Sequence, residues 1–142
     1  MPTVDPRALR FAAWVTSVVL ATVLVTGWGA LLAAQTLFFL IGAVLGPRRT
    51  PYALAFRSLV RPRIGPPSEL EPEAPPRFAQ AVGAVFGLAG TAAFLAGGDV
   101  VFAVATAFAL AAAFLNAAFG LCLGCEAYLL LRRTTPRKEL SA

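Results

Sequence analysis

VVFAVATAFALAAAFLNAAFGLCLGCEAYLLL, residues 100–131, decides the fold, because over its whole length it carries one charged side chain, Glu126. A hydrocarbon core ~30 Å thick is crossed by ~20 apolar residues. One straight helix from Val100 to Leu131 would run to about 48 Å at 1.5 Å per residue. It must therefore tilt, protrude or bend, and a bend near Gly120 or Gly124 is expected. Three more apolar stretches lie upstream, Ala8–Gly27, Trp28–Leu45 and Phe78–Ala96. With 58% hydrophobic and 13% charged residues, no water-facing surface can be built, so the solvent is lipid. The reading is an all-α membrane protein, a four-transmembrane-helix bundle forming one domain over 1–142. Its helices are placed at about 6–27, 28–46, 76–96 and 99–133, with a loop over 47–75. A secretory signal over the first stretch is set aside, since apolar sequence resumes directly after Gly27 with no cleavage site between.

Basic residues fall in three groups: Arg7 and Arg10; Arg48, Arg49, Arg57, Arg61, Arg63 and Arg77; and Arg132, Arg133, Arg137 and Lys138. Four crossings put all three groups on one side, while the connections at Thr26–Gly29 and Gly97–Asp99 hold no Arg or Lys. Retention of Lys and Arg on the cytoplasmic side predicts both termini and the long loop inside. The pI near 10.2 is then a basic surface facing anionic headgroups of the lipid bilayer, and calls for no nucleic acid.

Local signals set the helix limits. Asp5-Pro6 reads as an N-cap followed by proline at the first helical position. Trp28 suits an interfacial anchor, Gly46-Pro47 ends the second helix, Asp99 caps the fourth, and Thr134-Thr135-Pro136 stops it. Within the loop, Tyr52, Leu54, Phe56, Leu59 and Val60 mix with arginines as a short amphipathic surface helix would require. The stretch from Pro66 to Pro76 is acidic, proline-rich and expected to be extended. No strand and no internal repeat is expected.

Histidine is absent from the sequence, which excludes Ser-His-Asp and Cys-His nucleophiles, an axial-His haem and a His-rich metal site within it. Polar groups inside the spans reduce to Gln35, Gln80, Asn116, Glu126 and scattered Ser and Thr. Cys122 and Cys125, the only cysteines, stand at C-x-x-C spacing with Glu126 behind them. On a straight helix Cys122, Cys125, Glu126 and Leu129 share one face. The other face carries Asn116, Gly120 and Gly124, read as packing support: a small stripe for close helix approach, and an interhelical hydrogen-bonding amide.

Counting ~20 residues inward from Val100 puts the cysteines at the cytoplasmic boundary, whereas counting back from Arg132 buries Cys122 by roughly 15 Å. The first placement is preferred. There, in a reducing compartment, a permanent disulfide is not expected and a reactive dithiol is. One thiolate attacks and its neighbour resolves, with Glu126 as the base and Arg132 or Arg133 favouring the thiolate if the fold brings them round. Alternatively Cys122 and Cys125 bind a soft metal ion such as Cu(I), Zn(II) or Hg(II). Simple packing of two small side chains is the third reading.

Three segments, Asp5-Pro6-Arg7 with Arg10-Phe11, Pro75-Pro76-Arg77-Phe78-Ala79-Gln80, and Asn116 through Tyr128 around the two cysteines, resemble the bacterial membrane family catalogued as domain of unknown function 4395. The resemblance spans nearly the whole chain, with Leu121 standing where the family often has phenylalanine. It implies a compact four-helix inner-membrane protein in the company of thioredoxin-like or rhodanese-like proteins, and it brings no established activity. Expectations for function are therefore a membrane thiol–disulfide redox or sulfur-relay component using Cys122, Cys125 and Glu126, with a cytosolic thioredoxin-like or rhodanese-like partner. The alternatives are a transporter or binding protein for a soft metal ion or reduced sulfur species, and a structural accessory subunit. Because no cysteine lies near the outer turns, redox work needs an outside electron acceptor such as a quinone, a second protein or an oligomer.

Overall fold

A computed structural model describes residues 3–134. In chain order it contains β1 (Thr3–Val4), α1 (Pro6–Thr26), α2 (Gly29–Val44), a 3-10 turn (Pro47–Arg49), α3 (Pro51–Ala55), a π turn (Phe56–Val60), α4 (Arg61–Ile64), β2 (Glu71–Pro72), α5 (Ala74–Leu95), α6 (Asp99–Phe119) and α7 (Leu123–Thr134). Arg137 and Lys138, and the stop expected at Thr135-Pro136, lie outside the described residues.

Among the described residues, α1, α5 and α6 are long and apolar enough to cross a membrane, and α2 is an apolar helix of 16 residues. At 1.5 Å per residue α2 is about 24 Å long, short of a ~30 Å core. Helix α1 starts as its sequence requires. Asp5 accepts the Arg7 backbone N–H at 2.9 Å, Pro6 occupies a position whose N–H would have no partner, and left-handed Gly27 closes the helix. Asp99 is not the cap of α6: Gly98 takes that position without a side-chain bond, and Asp99 sits inside the first turn, where its charge faces the positive end of the helix dipole. Pro75 and Pro76 lie in the opening turn of α5 for the same reason as Pro6, so α5 begins slightly earlier than expected.

The helices follow one another in space as α2, α5, α6 and α1. Lipid tails supply no hydrophobic drive between helices, so close packing holds them. On α5 a Cβ at Gly83 would come 2.9 Å from the Phe39 ring, one at Gly90 2.8 Å from Leu32, and one at Gly87 would overlap Thr36. Three glycines on one face thus let α2 lie against α5, and Leu20, Val23, Leu32, Phe39, Ala84 and Phe102 fill the centre.

Against the expectation of no strand, β1 and β2 form a two-residue antiparallel ladder, Thr3 opposite Pro72 and Val4 opposite Glu71. The helical run from Pro51 to Ile64 docks through Phe56, against Phe11 at 5.7 Å, and through Tyr52, edge-on to Phe38 at 5.2 Å. Several arginines bond to backbone carbonyls. Arg77 donates to the carbonyls of Ala43 (2.7 Å) and Val44 at the end of α2, and buried Glu73 lies 3.6 Å from both Arg77 and Arg48. Arg7 reaches Gly65 O at 2.9 Å, and Arg10 reaches Ala117 O at 2.8 Å. These ties gather the chain start, the long loop and the end of α6 at one end of the bundle.

Candidate functional site: the cysteine turn and the cavity behind it

The stretch expected as one helix over 99–133 is broken at Gly120. This residue takes φ +70°, and a Cβ there would meet nothing within 4 Å, so conformation rather than crowding calls for glycine. Its N–H bonds Asn116 O at 3.0 Å and the Leu121 N–H bonds Leu115 O at 3.2 Å, closing α6 with a left-handed cap. Gly120 is thus a helix stop and not part of a packing stripe. Gly124 is the close-approach residue: a Cβ there would lie 2.5 Å from Ala79 Cβ, because α7 turns back onto the start of α5. Phe78 and Tyr128, 5.7 Å apart, extend the same contact.

This break changes what the C-x-x-C spacing means. Cys122 is not mid-helix but immediately precedes α7, in the capping position. The Cys125 N–H donates to Cys122 Sγ at 3.2 Å, and the Glu126 N–H donates to Cys122 O at 3.0 Å. Both cysteines are half-buried, joined as a disulfide, with Cα atoms 5.2 Å apart. The 21-residue α6 is already about 31 Å long and ends at Phe119, so the pair stands past the end of a span-length helix.

The remaining predicted site residues separate. Glu126 is exposed in the first turn of α7, well placed for the helix dipole, and its carboxylate makes no hydrogen bond or ion pair among the described residues. Arg132 is not brought round to the sulfurs. It donates to the Tyr128 hydroxyl at 2.9 Å and lies over that ring. Asn116 forms no interhelical hydrogen bond among the described residues. Nor do three or more Cys, Asp or Glu converge there as a metal-ligand group.

Behind the cysteine turn, a cavity of about 730 Å³ lies between α1, α2, α5 and α6. Phe38, Phe39, Phe86 and Phe108 supply apolar wall, Gln80 and Asn116 place amides on it, and Cys122 and Cys125 line it directly. Spacing along the sequence gave no sign of this space, although Gln80 and Asn116 were singled out as rare polar groups in the spans. Tyr52 also lines it, donating its hydroxyl to buried Gln35 Oε1 at 2.6 Å. Burial pushes the Tyr52 phenol up to about 12. At the edge of the cavity, burial acts to raise the Asp5 carboxyl, but the bonds and charge of Arg7 outweigh it and hold Asp5 below its usual value. Arg10, another lining residue, was read only as a topological charge; its bond to Ala117 O makes it a clasp between α1 and the end of α6.

A family model matches residues 4–133. The chain belongs to that family, Domain of unknown function (DUF4395). The match takes in α1 through nearly all of α7, including the cysteine turn of this DUF4395 chain. No curated protein and no solved structure matches it.

Proposed function

We propose that this DUF4395 protein is a thiol–disulfide exchange component of the bacterial inner membrane, with Cys122 and Cys125 as its redox pair. The observation that carries this reading is Cys122 as the cap of α7, with a backbone N–H on its sulfur and Cys125 one turn away. A helix N-terminus favours a thiolate, which is the reactive form of cysteine. In the exchange, a thiolate of a partner protein attacks one sulfur of the Cys122–Cys125 bond, forming a mixed disulfide and releasing the other cysteine as a thiolate. The partner's second thiolate then displaces the mixed disulfide. The partner leaves oxidised, and two electrons stay on the pair as two thiols. Cys122 is the sulfur that carries negative charge at least cost, so it is the thiolate released and, in the reduced pair, the first to attack.

Four crossings with both termini and the loop on the cytoplasmic side follow from the arginine distribution, with α2 completing the fourth span through its flanking residues. A cytosolic thioredoxin-like or rhodanese-like protein then reaches the cysteine turn from the aqueous side. The test is thiol tagging of the protein in native membranes across a series of dithiothreitol ratios. Two thiols that appear and disappear together at one defined potential support the reading. Two cysteines that tag independently of the redox poise overturn it.

A further inference from the structure

Resting on the dithiol reading, we infer that the cavity behind the cysteine turn is a binding site for a lipid-soluble quinone, which takes the electrons of the reduced pair. Three observations meet there. The chain has no third cysteine, so electrons delivered to Cys122 and Cys125 have no further dithiol within the sequence to go to. The space that both cysteines line holds about 730 Å³, the size class of organic ligands and far larger than a metal ion or a sulfide needs. Its walls combine aromatic rings with two amides, Gln80 and Asn116, whose side chains make no hydrogen bond to any described residue. Both residues are half-buried; the Gln80 side chain lies against Gly42 of α2, and neither amide is spent on a hydrogen bond within the described residues. A polar group in a lipid-embedded bundle is costly unless it serves a partner or a cavity. A quinone supplies what these walls lack: a flat ring for the phenylalanines and two carbonyl oxygens to accept amide N–H bonds.

The chemistry balances within the pair and the quinone. The Cys122 thiolate adds to the electron-poor ring, and Cys125, as thiolate, attacks the Cys122 sulfur. The S–S bond forms as the C–S bond breaks, and the electron pair leaves on the ring. Two thiols become one disulfide, one quinone becomes one quinol, and the two thiol protons end on the quinol oxygens.

The test uses the full chain in nanodiscs, reduced and kept anaerobic, with decylubiquinone. Disulfide formation is read by thiol tagging and quinol by absorbance. Expected is about one quinol per disulfide. Closure should be slowed at least ~10-fold when Gln80 and Asn116 are both changed to Leu, since amide hydrogen bonds that orient a ligand are worth ~1.4 kcal/mol or more. Ala113→Phe, which fills the cavity, should give the same loss. Diamide, a water-soluble oxidant of dithiols, should close the pair in all variants, which shows that the thiols remain oxidisable, and unfolding at the parental SDS fraction shows that the variants are folded. Closure by diamide but not by decylubiquinone in the parent protein overturns the quinone site and leaves the dithiol reading standing. So does quinone closure at the parental rate in both variants. Failure of diamide to close the parent protein overturns the dithiol reading itself.

Discussion

Separating the two cysteines gives the sharpest measure of the break at Gly120. In single-cysteine proteins, Cys125→Ser leaves Cys122 at the cap of α7 and Cys122→Ser leaves Cys125 within its first turn. A helix N-terminus stabilises a negative group by ~0.3–1 kcal/mol, up to ~2 in partly buried geometry. Cys122 is half-buried and also receives a backbone N–H, so a differential of about 1–2 kcal/mol over Cys125 is appropriate. Divided by 1.36 kcal/mol per tenfold, this enriches the Cys122 thiolate by about 5- to 30-fold. A better stabilised thiolate is also a weaker nucleophile, with a Brønsted slope near 0.45, which returns almost half of the logarithmic gain. The net expectation is alkylation by iodoacetamide about 2.5- to 6-fold faster at Cys122 than at Cys125 near neutral pH. The ratio should fall to about 1 in SDS-denatured protein, where α7 no longer presents its end to the sulfur. Equal rates in the folded protein, or a faster Cys125, would mean that Cys122 does not cap a helix and that the two thiols are interchangeable.

Gly87→Leu places a branched side chain where even a Cβ overlaps Thr36, and should destabilise the α2–α5 contact by about 3 kcal/mol, read as unfolding at lower SDS fraction; a neutral result would mean the two helices do not lie this close. Tyr52→Phe leaves buried Gln35 without its donor and should cost about 1–3 kcal/mol in the same assay. With the Tyr52 phenol raised to about 12 in the folded protein, its contribution is complete below pH ~10, the unfolded value, and is lost as pH rises through about 12. The Tyr52→Phe protein should therefore lack this alkaline step, and an unchanged alkaline melt would argue against a buried phenol. Gly120→Ala puts a side chain at φ +70° and should cost about 1 kcal/mol while loosening the Cys122 cap, so the alkylation ratio should shrink along with stability; a ratio unaffected by the change would separate the cap from the break.

Much of the fold is legible because its causes are local. The apolar runs, Asp5-Pro6 before α1 and left-handed Gly27 after it act through a few neighbouring residues, so reading them in order recovers the helices and their approximate ends. Asp99 shows the margin of that method, since a one-residue shift moved it from cap to first turn. The glycines were harder. Gly120 and Gly124 read together as one small stripe, yet the first terminates a helix and the second meets Ala79, a residue 45 positions earlier. Gly83, Gly87 and Gly90 on α5 drew no reading from the sequence, because their role appears only when α2 is laid beside them.

By itself, then, the order of residues determined a lipid-facing helical chain, the positions of its apolar segments, and a unique pair of cysteines three apart. Those properties depend on composition and on interactions within a turn or two. Only the tertiary structure decided that the pair begins a helix instead of interrupting one, and that it borders a cavity carrying two unpartnered amides. Both depend on α7 folding back onto α5 through Gly124 and Ala79, and on four helices from distant parts of the chain bordering one space. Long-range contacts of this kind leave no periodic trace in the sequence, because each wall residue is fixed by a partner on another helix.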